Sequence, residues 1–60
     1  MDMPKDPIML MSFLNTQLRD NYSSLTELTK SYGVSEDEII SKLEAVGYHY
    51  DSERNAFVLA

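Results

Sequence analysis

Between Ser24 and Gly47 the chain reads S-L-T-E-L-T-K-S-Y-G-V-S-E-D-E-I-I-S-K-L-E-A-V-G. Two short segments follow each other there, each opened by a serine with a glutamate three residues on and each closed by a glycine. Ser24 with Glu27, and Ser35 with Glu38, are capping-box pairs, in which the serine hydroxyl and the glutamate carboxylate each satisfy a backbone N–H that the first helical turn leaves free. Gly33 supplies the positive φ that lets the chain leave a helix, and Gly47 ends the second segment. Two helices joined by a tight turn are therefore expected over about 24–32 and about 36–46. Leu25, Leu28 and Tyr32 form the inward face of the first, and Ile39, Ile40, Leu43 and Val46 that of the second, with Val34 plugging the gap between them.

A third helix precedes these two. Asp6-Pro7 is a start signal, because the aspartate accepts from an orphan N–H and proline at the first helical position loses no needed donor. The helix is expected over about 7–19, with Ile8, Leu10, Met11, Leu14 and Leu18 on one face. Met9 and Phe13 lie one turn apart on another side, where they either cover the edge of the core or mark a contact with a symmetry mate or partner. After Gly47 the run Y-H-Y-D, a turn cluster and A-F-V-L predict a β-hairpin over about 48–51 and about 56–59. With a loop from Ser52 to Asn55 and Asn55 left-handed, Tyr50 opposes Phe57 and Tyr48 opposes Leu59. A one-residue slip would scatter these four side chains to both faces.

The expected fold is mainly α within an α+β class: one domain over residues 1–60, a three-helix helix-turn-helix core followed by a C-terminal hairpin, a miniature winged-helix-like unit. Sixty residues make a small core, so self-association would add stability. The chain has no cysteine, which removes disulfide staples and fits a cytoplasmic setting. The apolar stretch near the N-terminus is interrupted by Ser12 and Asn15, too short for a membrane span.

The helix-turn-helix pattern, carried by Leu25, Leu28, Gly33, Val34, Ser35, Ile39, Leu43 and Gly47, resembles winged regulators of bacterial transcription. Charge argues against that function. Ten acids against five bases leave a formal charge of −5, and a recognition helix needs basic or aimed N–H groups against phosphate. The outward positions of the third helix are instead Glu36, Asp37, Glu38, Ser41, Glu44 and Ala45, with Lys42 as its one base. Nucleic acid is thus disfavoured. If duplex were bound, Arg54 at the hairpin tip, Lys30, Lys42 and Arg19 would be the contacts. The acidic face of Asp37, Glu38, Ser41 and Glu44 suits a basic protein partner. The single His49 and the lack of a phosphate loop or metal-ligand spacing give no basis for an enzyme, a cofactor or a metal site.

The opening M-P-K-D-P-I-M-L-M-S-F-L-N-T-Q-L-R-D-N-Y-S-S-L, together with G-Y-H-Y-D-S-E-R-N-A-F-V, resembles a family of very short bacterial proteins, domain-of-unknown-function family 4250. The likeness extends from Met3 to Val58. It implies a bacterial, cytoplasmic protein and carries no catalytic or binding residue with it. The expectation is a small protein-interaction module that self-associates, with a DNA-binding regulator as the alternative.

Overall fold

The computed structural model describes residues 3–60. Helix α1 spans Pro7–Asp20, α2 Leu25–Tyr32 and α3 Glu36–Glu44, followed by strands β1, Tyr48–Asp51, and β2, Ala56–Leu59. The fold is α+β and mainly helical. The strands form one antiparallel hairpin in which β2 lies on α1 and β1 follows α3.

The three helix starts are held by the side chains expected. Asp6 Oδ2 accepts from the Met9 N–H at 3.0 Å, Ser24 Oγ from the Glu27 N–H at 3.2 Å, and Ser35 Oγ from the Glu38 N–H at 3.3 Å. Only half of each capping box forms, however. The Glu27 carboxylate is held by the adjacent Ser23 hydroxyl instead, and the acid at the head of α3 that finds a partner is Glu36, which accepts from Thr26 Oγ1 at 2.9 Å. Gly33 has φ +69 and its N–H donates to the Lys30 carbonyl, while the Val34 N–H reaches back to the Thr29 carbonyl. That pair of bonds is a Schellman stop.

Leu10, Leu14, Leu18, Leu25, Leu28, Ile39, Leu43 and Phe57 are buried together. Three apolar positions of the helical region differ from the sequence expectation. Ile8 is 50% exposed, because at ~100° per residue it lies about 120° round α1 from the centre of the face formed by Leu10, Leu14 and Leu18. Val34 follows the left-handed Gly33 and stays exposed rather than plugging the helix gap. Helix α3 stops at Glu44, two residues earlier than its apolar pattern suggests, as the Val46 and Gly47 N–H groups turn tightly onto the Leu43 and Glu44 carbonyls. Val46 is thereby carried off the inward face and is also exposed. Tyr32 packs against the core as expected, half-buried like Met11 and Ile40, with its ring 5.9 Å edge-on from that of Phe13.

The hairpin has the expected register, Tyr48 with Leu59 and Tyr50 with Phe57, and Asn55 is left-handed at φ +52. Phe57 is the one hairpin residue fully in the core, while Leu59, near the chain's end, is 72% exposed. Polar side chains do the rest of the docking. Asn15 of α1 pairs with the Phe57 backbone like a neighbouring strand, accepting from its N–H at 2.7 Å and donating to its carbonyl at 3.1 Å. Asn55 donates to the Leu18 and Tyr22 carbonyls at the end of α1 and accepts from the Tyr50 hydroxyl at 2.6 Å. The same hydroxyl receives the Leu25 N–H that opens α2, at 3.2 Å. One turn amide thus satisfies backbone groups that a helix end leaves unpaired.

Candidate protein-interaction surface

Two open grooves flank the outer ridge of α1, and Ser12 and Thr16 line both. The smaller, about 310 Å³, is lined by Pro4, Met9, Ser12, Phe13, Thr16 and Gln17. It arises from helical spacing. Met9 and Phe13 stand one turn apart, and the segment before Asp6 folds back so that Pro4 forms a wall. Phe13 is held by its edge-on contact with Tyr32, a geometry that aligns the ring's positive edge with a negative face. Met9 is 62% exposed. Among the described residues no charged side chain lines this groove, and α1 carries none from Pro7 to Gln17.

The larger groove, about 650 Å³, lies between α1 and the hairpin turn. It collects two of the chain's five bases, Arg19 and Arg54, beside Asn15, Asn55 and Thr16. Each guanidinium already has a carboxylate: Arg19 Nε lies 2.9 Å from Asp20, and Arg54 Nε 3.6 Å from Asp51. The Arg19 hydrogen bond holds the Asp20 carboxyl below its usual range, with charge attraction adding to it, and Asp20 in turn raises Arg19. Asn15 and Asn55 have their amides committed to the hairpin clamp, which leaves the groove's polar wall largely self-satisfied.

The structure therefore brings Met9 and Phe13 together, and Arg54 with Arg19, but separates the other candidates. Lys30 and Lys42 are exposed and line neither groove. Asp37, Glu38, Ser41 and Glu44 are exposed on α3, also outside both grooves. Three acids in the first turn of α3 complement the positive end of its dipole.

Sequence reasoning missed Pro4 as a wall and the Asn15, Tyr50 and Asn55 side chains as the clamp. The left-handed turn that places Asn55 was readable. Its contacts with residues 33 and 37 positions away leave no periodic signal. Among the described residues, no helix is long and apolar enough to cross a membrane.

No curated protein and no solved structure matches the chain. A family profile matches residues 4–57, nearly the whole fold from the Pro4 wall to buried Phe57, and by it the chain belongs to the family described as Domain of unknown function (DUF4250).

Proposed function

We propose that the protein is a protein-interaction module that self-associates and receives a partner on the outer surface of α1. The observation that carries this reading is the groove of Pro4, Met9 and Phe13, set in a helix without charge from Pro7 to Gln17 in a chain of net charge −5. Uncharged apolar surface costs little to desolvate. The occupant that suits it is an uncharged apolar segment of another protein, because a charged one would lose hydration there without gaining a counter-ion. A core of eight buried apolar residues among those described is also small enough that association adds usefully to stability.

Met9→Glu tests this without disturbing the core. Position 9 lies in the first turn of α1, which has no acid, so the new carboxylate suits the helix dipole. Nuclease-treated lysate passed over the wild-type protein should yield a stoichiometric protein partner that Met9→Glu fails to retain. Recovery that survives the substitution, or that depends on nucleic acid, would overturn the reading.

One observation favours a second reading, a winged DNA-binding regulator: Arg19 and Arg54 share the larger groove. Their pairing with Asp20 and Asp51 cancels most of the field that phosphate would feel. Fluorescence anisotropy with mixed-sequence duplex should show no binding tighter than ~10 μM at physiological salt, the tight end of ordinary non-specific affinity.

A further inference from the structure

The two outer edges of the hairpin are treated differently. In an antiparallel pair, residues alternate between those whose N–H and C=O point at the neighbouring strand and those whose groups point away. The Phe57 N–H and C=O both bond to the Asn15 side chain, so they point away from β1. Its opposite number Tyr50, and Tyr48 two residues earlier, therefore turn their own N–H and C=O outward from the free edge of β1. The bond from the Ala60 N–H to the Gly47 carbonyl, 2.9 Å, agrees with this alternation. Among the described residues nothing bonds to the Tyr48 or Tyr50 backbone. Edge strands are ordinarily blunted by shortness, charged side chains, proline, a bulge or a covering segment, and β1 has only its four-residue length and Asp51. On the other edge Asn15 covers the Phe57 groups and leaves only those of Leu59, at the strand's end, open, whereas Y-H-Y-D has no such cover and neither lysine nor proline.

We infer that the free edge of β1 is the self-association surface of this protein, pairing antiparallel with β1 of a second copy about a two-fold axis through His49. Tyr48 then faces the partner subunit's Tyr50 and Tyr50 faces the partner subunit's Tyr48, each pair exchanging both backbone bonds. Those are the groups a single copy leaves unpaired. The same register places Asp51 opposite the partner subunit's Gly47, so no like charges meet. His49, exposed on the solvent face, meets its own counterpart at the axis. The surface is isologous and closes at two copies, forming a four-stranded sheet from two marginal hairpins. This inference rests on the self-association half of the proposed function and is independent of the α1 groove.

Hydrogen exchange of the intact protein, followed by NMR from about 10 μM to about 1 mM, a span covering weak dimers, tests it. The Tyr48 and Tyr50 amides should gain at least about tenfold protection with concentration, in step with a monomer–dimer transition in sedimentation. His49→Glu sets two carboxylates opposite each other at the axis and should remove both effects. A synthetic chain N-methylated at Tyr50, which keeps every side chain and blocks only the outward amide, should do the same. Met9→Glu should leave the dimer intact, which separates failure of this inference from failure of the α1 reading. Exchange at Tyr48 and Tyr50 that is independent of concentration, or a dimer unchanged by N-methylation, would overturn the inference.

Discussion

Helices α1 and α3 are built by the same capping chemistry yet meet solvent in opposite ways. The inward side of α1 buries Leu10, Leu14 and Leu18, and α3 buries Ile39 and Leu43. Outward, α1 is uncharged for most of its length and flanked by two grooves, whereas α3 shows Asp37, Glu38, Lys42 and Glu44 and lines neither. In a helix-turn-helix unit the second helix of the pair is the one expected to read a ligand. Here three acids sit in the first turn of that helix, and the uncharged groove lies along the first helix of the chain instead. Position in a fold does not assign function; the exposed chemistry does.

The comparison can be broken at several depths. The deepest is the shared core: Leu14→Ala empties a fully buried site on α1 and should cost about 2–5 kcal/mol. A chain of this length has roughly 3–9 kcal/mol in all at ~0.05–0.15 per residue, so urea denaturation should find the variant largely unfolded or close to it. If the loss is below ~1 kcal/mol, α1 is not the helix that organises the core.

The clamp comes next. Asn55→Ala removes the amide that satisfies the Leu18 and Tyr22 carbonyls and adds a side chain that tolerates φ +52 poorly, a combined cost of about 2–4 kcal/mol. Asn55→Gly relieves the backbone strain while still losing the bonds, and should recover about 1 kcal/mol of that. Equal costs for the two variants would mean that strain contributes nothing at this turn.

On the α3 side, Ser35→Ala deletes one cap and should cost about 1 kcal/mol, read from the urea midpoint, with no effect on partner recovery through the α1 groove. Partner loss on Ser35→Ala would show that the two outer surfaces act together.

The smallest effect belongs to the exposed end of α1. Asp20 is held below its usual range by Arg19, so whatever stability the pair contributes is complete above the ordinary aspartate pKa and disappears as pH falls through the lower native value. The difference in urea midpoint between wild type and Asp20→Asn should therefore be constant above the ordinary aspartate range and shrink as pH falls below it. The pair is fully exposed and solvent screens it, so a shift of more than a few tenths of a denaturant unit would contradict the geometry.

The helix starts, the Gly33 stop and the hairpin register were legible because each is written in neighbouring residues: Asp6, Ser24 and Ser35 act within three positions, and Tyr50 opposes Phe57 across one turn. That Met9 and Phe13 share a side of α1 was legible for the same reason; of the two alternatives, Phe13 covers the edge of the core while Met9 stays exposed. The margins were not. Whether Val34, Val46 and Leu59 are covered depends on how far neighbouring elements extend, and local periodicity carries no such length.

By itself, then, the sequence determined the elements, their order, the apolar stripes and the sign of charge on α3, since each depends on short-range backbone chemistry or on counting. Tertiary structure alone decided that Asn15 and Asn55 lock the hairpin to α1, that Pro4 walls the Met9 groove, and that Asn15 covers the middle of β2's edge while β1's is open. Those facts arise from contacts between residues tens of positions apart, and such contacts exist only once the core has brought the elements together.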